Sequence, residues 1–253
     1  LIDAHCHLDD ERFSNDLDAV IARAASAGVT ALITAGVDGA TSRAAVARAD
    51  KYASVYAVVG IHPHHAAALD DESLKALRAL AAHRKVVGIG EIGLDFYWAD
   101  NPPRETQARA LNAQLDLAAE LAKPVVIHNR AADDLLMEIL RRRKGNPRGI
   151  LHCYAGDLAM AREAINLGYL ISFAGNVTFT NAARAQAIAK ALPLECMIVE
   201  TDAPYLSPLR GKRNEPANVA RVAAKIAELK SLAPAVVAQT TTHNCARLFG
   251  LPN

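Results

Sequence analysis

The sequence predicts an α/β protein folded as a (β/α)8 TIM barrel, with its working residues at the C-terminal ends of the strands. Three observations predict it. Eight short apolar runs rich in Val, Ile or Leu recur along 253 residues. Segments of helical period lie between them, and most of the unusual polar residues fall where the runs end.

The first run, "LIDAHCH" at 1–7, is followed by Leu17, Val20, Ile21 and Ala24 at helical spacing, with Gly28 ending that helix. "VTALITAG" at 29–36 and "SVYAVVGIH" at 54–62 are the second and third strands; Leu74, Leu77, Leu80 and Ala81 then mark one helix face. "KVVGIGEIGLD" at 85–95 leads into a helix from Glu105 to about Ala122, with Ala108, Leu111, Leu115 and Ala118 inward. "KPVVIHNR" (123–130), "GILHCY" (149–154), "GYLISFAG" (168–175) and "CMIVETD" (196–202) supply the remaining strands. An open doubly wound sheet is the competing arrangement, but no GxGxxG turn follows the first strand. Nothing marks a linker, so residues 1–253 are expected to form a single domain. The run "RRRK" at Arg141–Lys144 reads as the cationic last turn of a helix, with a nucleic-acid patch as the alternative.

Hydrophobic residues make up 51% and charged residues 22% of the chain, enough apolar content for a large core. A net charge of +1 argues against a broad polyanion-binding face, so any anion site must be local. Cys6, Cys153, Cys196 and Cys245 form no CxxC pair and are expected as reduced thiols. No basic-then-apolar leader opens the chain. The longest uncharged stretch, 164–183, is broken by Asn166, Ser172, Asn176 and Asn181. No membrane span is therefore expected, and the cytoplasm is the expected compartment.

The polar residues carry the functional expectation. His5 and His7 end the first strand, and His62 and His64 follow the third. Glu91 and Asp95 end the fourth, His128 and Arg130 the fifth, His152 the sixth, Glu200 and Asp202 the eighth. One histidine at a strand end is ordinarily a hydrogen-bonded core residue. Several imidazoles and carboxylates converging on one barrel mouth would be poorly solvated and mutually frustrated unless a cation organised them. Period-two spacing aims His5 and His7 inward together. Imidazole with carboxylate suits Zn, Mn or Fe, and Mg where carboxylates dominate. Four histidines and two carboxylates exceed one ion with an open position. They suit two divalent ions (Mg, Mn or Zn) sharing a bridging carboxylate, the role given to Glu91; such a pair clamps the attacking and leaving oxygens of an in-line displacement.

"DAHCHLD", "GIHPHH", "GEIGLDFY", "PVVIHNR", "LHCYAG", "ETDAPYLSP", "RGKRNEPANV" and "NCARLFGL" resemble, in order and from end to end, the motifs of the TatD family of metal-dependent deoxyribonucleases. That family belongs to the amidohydrolase-like barrels. The resemblance implies one ion held by His5, His7, Glu91 and Asp202 and a second by Glu91, His128 and His152, with Asp202 taking the proton of the attacking water. It also implies 3′-5′ exonuclease action on single-stranded DNA, with RNA as an alternative strand.

Other residues receive supporting roles. Asp3, taken to share the inward face of His5 and His7, orients a ligand or makes a structural hydrogen bond. Glu200 lies deeper than Asp202 and supports a ligand. The resemblance implies that His62 faces substrate, binding a phosphate oxygen or protonating a leaving group, and His64 is expected beside it as a substrate contact. Asp95 holds a neighbouring His or Arg. Arg130 suits bidentate capture of a phosphate, and Arg210, Lys212 and Arg213 add a positive rim. Phe96, Tyr97 and Trp98 stack bases or pack their loop. Two rivals keep the metals: a metal-dependent amide or ester hydrolase such as a D-aminoacyl-tRNA deacylase, with tRNA as partner, and a non-catalytic metal-binding protein. An open basic rim favours nucleic acid, and a sealed apolar cavity a small substrate. The residues fix no oligomeric state; a monomer is compatible with them.

Overall fold

In a computed structural model, which describes residues 1–252, every apolar run becomes a strand. These are β1 (Ile2–Cys6), β2 (Ala31–Ala35), β3 (Val55–Val59), β4 (Val86–Asp95), β5 (Val125–Arg130), β6 (Gly149–Leu151), β7 (Leu170–Phe173) and β8 (Met197–Val199). Asn253, the last residue of the expected domain, lies outside the described residues. Between and after the strands run α1 (Leu17–Ser26), α2 (Gly39–Lys51), α3 (Asp71–Ala81), α4 (Arg104–Glu120), α5 (Asp133–Arg143), α6 (Leu158–Asn166), α7 (Ala183–Ala191), α8 (Val219–Lys230) and α9 (Pro234–Phe249). The sheet order is β1 to β8 in sequence, all neighbours parallel. A parallel bridge from Cys6 to Ala203 returns the last strand to the first. The result is a (β/α)8 barrel; the open sheet is excluded because its two edges meet.

Alternating side chains split the core into two layers. Ile33, Val58, Val126, Ile150 and Ile198 fill the barrel, and Phe249 and Leu251 join them. Asn244 on α9 donates to the carbonyls of Leu194 (3.0 Å) and Met197 (2.8 Å), fixing that helix across the start of β8. The opposite phase, including Leu32, Ala57, Val125 and Val199, packs under the helices against Val20, Leu77, Leu111 and Val222.

Three polar anchors lie inside this apolar shell. The Lys85 side chain is buried at 8% exposure. Its ammonium donates to the carbonyls of Ala49 (2.8 Å), Tyr52 (2.7 Å), Ala53 (2.9 Å) and Val55 (2.9 Å), where α2 ends and β3 begins. A cation at a helix C-terminus meets the negative end of the dipole. On α4, the expected apolar stripe is joined by two buried glutamines, Gln107 and Gln114. The Gln114 amide accepts from Ile61 N (2.7 Å) and donates to Ile61 O (3.0 Å). Gln107 likewise accepts from Asp95 N (2.8 Å) and donates to Asp95 O (2.9 Å). Each amide supplies a backbone partner that no neighbouring strand provides, to Ile61 just beyond β3 and to Asp95 at the end of β4, and so fixes the positions of His62 and Asp95.

The "RRRK" run closes α5, as its composition predicts. Arg141 pairs with Glu163, Arg142 with Glu138, and Arg143 with Asp116 at 2.8 Å. Carboxylates therefore occupy these guanidiniums, which argues against a nucleic-acid patch there.

Candidate metal centre

Strand exits aim the polar residues at one cavity of about 740 Å³ at the C-terminal end of the barrel. On β1 the ladder shifts register between Asp3, opposite Leu32, and Cys6, opposite Thr34. Three residues on β1 thus face two on β2, a bulge that changes the phase of the pleat. Asp3 falls in the phase of Cys6 and leaves the face of His5 and His7, a correction to the expectation that the three share it. Cys6 packs with the helix-facing core. Asp3 accepts from Thr201 N (2.8 Å) and the Thr201 hydroxyl (2.5 Å), so it ties β1 to the exit of β8. On β4, Gly93 between Glu91 and Asp95 has φ +151°, and a Cβ there would stand 1.9 Å from the His128 carbonyl oxygen. Only glycine permits that close approach of β4 to β5.

Glu91, 3% exposed, stands at the centre and presents one oxygen to each of two groups. Its Oε2 lies 3.3 Å from His5 Nε2 and 3.7 Å from His7 Nε2. Asp202 Oδ1 completes this set, 3.7 Å from His5 Nε2 and 3.4 Å from His7 Nε2. The other oxygen, Oε1, lies 3.0 Å from His128 Nδ1, 3.1 Å from His152 Nε2 and 3.5 Å from His62 Nε2. Asp202 itself has a left-handed backbone, φ +55°, which aspartate tolerates better than most residues.

The donor set fits divalent cations. The Nε2 atoms of His5 and His7 are 3.2 Å apart, and two such nitrogens cannot both carry protons toward one another. Ligand atoms of His5, His7 and Asp202 lie within 4.8 Å of one another, as do those of His5, Glu91 and His152, and of His62, Glu91 and His128. Burial raises the Glu91 carboxyl, but the imidazoles around it, His152 foremost, outweigh burial and hold it well below the usual range. Burial lowers the His62 imidazole to about 4, leaving it neutral, with Nδ1 accepting from His64 N (3.2 Å) and Nε2 facing Glu91.

A second layer of carboxylates holds the imidazoles. Glu200, fully buried, accepts from His152 Nδ1 (3.0 Å), Cys153 N (2.7 Å) and the Ser172 hydroxyl (2.5 Å). Asp95 Oδ2 lies 2.9 Å from His64 Nε2 and 3.2 Å from His128 Nε2. Carboxylates behind imidazole ligands fix ring orientation and raise ligand basicity.

The structure thus brings His5, His7, Glu91, His128, His152 and Asp202 together. It also sets His62, expected to face substrate, against Glu91 among the candidate ligands, and gives the His64 ring to Asp95. Arg130 lines the cavity and stacks over Tyr97 at 4.0 Å. The expected rim is otherwise corrected: neither Arg210 nor Arg213 lines the cavity. Arg213 is held by Asp16 through Nη1 (2.8 Å) and Nη2 (2.7 Å) and lies 4.6 Å above the Phe13 ring. Sequence reasoning missed Tyr205, which lines the cavity, and Arg12, stacked on it at 4.3 Å. Tyr205 lies within "ETDAPYLSP" but the resemblance assigns it no role there, and no local pattern marks Arg12.

Comparison with known proteins places the chain in a family. The family model described as TatD related DNase matches residues 2–250. The chain is 40% identical over 252 residues to the uncharacterized metal-dependent hydrolase YabD of Bacillus subtilis, covering 98% of each. It is 36% identical over 257 residues to a protein of Cronobacter sakazakii named 3′-5′ ssDNA/RNA exonuclease TatD, covering 98% of this chain and 97% of that one. The crystal structure of YjjV, a TatD homolog from Escherichia coli, superposes with a TM-score of 0.93 at 36% identity, covering 100% of this chain and 98% of that one. With its barrel, its imidazole and carboxylate cluster and these matches, the chain belongs to the TatD-related DNase family and is a metal-dependent hydrolase.

Proposed function

We propose that this hydrolase is a two-cation phosphodiesterase that removes nucleotides from the 3′ end of single-stranded DNA, with RNA as a second strand. The observation that carries the reading is Glu91, whose two oxygens face two separate groups of ligand atoms. His5, His7, Glu91 and Asp202 would hold one ion, and Glu91, His128 and His152 the other, with His62 beside the second. Divalent ions so placed lower the pKa of water and neutralise charge growing on phosphoryl oxygens. Nitrogen-rich donors favour Mn or Zn, while the carboxylates admit Mg.

The chain's own groups supply the rest. Asp202, at the cavity wall, takes the proton of the attacking water on its carboxylate. The Arg130 guanidinium binds a phosphate oxygen, and the neutral His62 orients another. Glu200 and Asp95 keep His152 and His128 in place through the hydrogen bonds described. The cavity is open and lined by histidines, carboxylates and Arg130 rather than sealed by apolar groups, which favours a strand over a small ester or amide. We place the protein in the cytoplasm, acting as one domain. Its cysteines are all free, and no described helix is long and apolar enough to cross a membrane.

The test is a paired assay. Protein stripped and reloaded with Mg or Mn should shorten a 5′-labelled oligonucleotide from its 3′ end, and Glu91→Ala or His128→Ala should abolish this. Undiminished nuclease activity in Glu91→Ala would refute the reading. Faster turnover of D-aminoacyl-tRNA than of DNA would move the activity to the deacylase rival.

A further inference from the structure

Exposed aromatic rings stand at two points on the cavity rim. Trp98, the only tryptophan of the chain, follows β4 and is 49% exposed. Arg130, at the end of β5, lies 4.0 Å from the Tyr97 centroid and 5.2 Å from that of Trp98. Tyr205 follows β8 and is 47% exposed. Arg12, from the segment after β1, covers its ring at 4.3 Å. Strand order places these pairs. In a barrel that runs from β1 to β8 and closes on itself, the β4–β5 exit lies half a turn from the β8–β1 exit.

Each aromatic pair is joined to a different ligand group. The Tyr205 ring centroid is 6.0 Å from that of His7. Tyr97 N donates to Asp95 Oδ1 at 3.0 Å, and the other oxygen of Asp95 meets His128 Nε2. Glu91 lies between the groups. Large rings left in water at a polar rim are suited to a partner with its own apolar face, and the Arg130 guanidinium beside one pair favours a partner carrying negative charge. A nucleotide base on a phosphate backbone has both properties. In a duplex the bases are already stacked, whereas a single strand can turn them outward.

We propose, resting on the nuclease reading above, that a single strand crosses the mouth along this diameter. The base on one side of the scissile phosphate stacks at Trp98 and the base on the other side at Tyr205. Arg130 stiffens its rings and attracts the flanking phosphate on its side, whereas Arg12, held by Asp10 through Nε (2.8 Å) and Nη2 (2.7 Å), stiffens the Tyr205 ring alone. The two rims thereby make unpaired bases on both sides a requirement for productive binding.

Trp98 reports on this without activity. A dT trinucleotide, titrated against chelator-treated protein, should quench its fluorescence. The same titration with Mg and a hydrolysis-resistant phosphorothioate strand should do likewise. An abasic strand of equal charge should quench little and bind about ten-fold more weakly, as loss of one base stack implies. The placement is read from a cycle of variants and abasic positions by the fluorescence anisotropy of a 5′-labelled strand, since variants at Trp98 carry no tryptophan. Trp98→Ala should remove the penalty for an abasic site on one side of the scissile phosphate and Tyr205→Ala that on the other, while Trp98→Phe and Tyr205→Phe should retain both. Equal binding of abasic and base-bearing strands, or abasic penalties unchanged by both alanine variants, would overturn the stacking proposal even if DNA were still degraded. Failure to bind or degrade any strand would remove the nuclease reading together with it.

Discussion

Replacing Glu200 by glutamine separates the charge behind the metal centre from its shape. The Glu200 carboxylate accepts three hydrogen bonds, from His152 Nδ1, Cys153 N and the Ser172 hydroxyl, at 3.0, 2.7 and 2.5 Å. The amide is nearly isosteric. Its oxygen still accepts from His152 and Cys153, while its NH2 faces a serine hydroxyl that rotates to accept. Packing and hydrogen bonds are therefore kept, and His152 loses the negative charge behind it. Loss of such a partner weakens metal affinity by roughly 10- to 100-fold, or about 1.4–2.7 kcal/mol. Calorimetric titration of stripped protein with Mn should show that weakening in one binding event, the one assigned to Glu91, His128 and His152. The event assigned to His5, His7 and Asp202 should stay within about two-fold, and the Tm of the metal-free protein should hardly move. Glu200→Ala supplies the contrast, because it strands all three donors. At about 1–3 kcal/mol per buried unsatisfied group, it should destabilise the metal-free protein by several kcal/mol. Unchanged Mn affinity in Glu200→Gln would refute the argument that this carboxylate tunes the centre through His152.

Two further outcomes test other parts of the structure. Lys85→Met keeps most of the volume but removes the ammonium shared by four carbonyls. A loss of roughly 3–5 kcal/mol is expected, read as a fall in Tm of about 6–20 °C, with metal stoichiometry unchanged in the folded fraction. Asp16 is held at about 2, against an ordinary 3.8, by its hydrogen bonds to Arg213 and by Arg23. Because the folded value is the lower one, its contribution to stability is present above 3.8 and is lost as pH falls through about 2. Denaturation curves of wild type and Asp16→Asn should therefore differ by a constant amount at neutral pH and converge on acidification. A gap that widened toward pH 2 would contradict the assignment.

The barrel was legible because its signal is local. Strands buried on both faces need continuous apolar runs, and a run that ends in a polar residue of the right phase delivers that residue to the mouth. His128 on β5, His152 after β6 and Asp202 after β8 follow that rule. Asp3 does not, because one inserted residue on β1 changes the phase without changing the composition. Other features depended on pairing across the chain. Nothing near Arg213 announces Asp16, 197 positions away, and the expected positive rim failed for that reason. Gln107 and Gln114 resemble ordinary helix-surface residues until the loops they satisfy are seen above them.

The meeting of β8 with β1 bears on how the protein is made. Glu91, His62, His128 and His152 all lie in the middle of the chain and can come together once β3 to β6 have paired. His5 and His7 must wait for Asp202, and the backbone bond from Asp202 N to His5 O (2.9 Å) exists only after the ring has closed. The group of His5, His7 and Asp202 therefore depends on a contact between the two ends of the barrel, and the other group does not. Contacts of such long sequence separation are slow to form. A chain interrupted before residue 202 holds every member of one group but only His5, His7 and Glu91 of the other, which stays incomplete until Asp202 has been added.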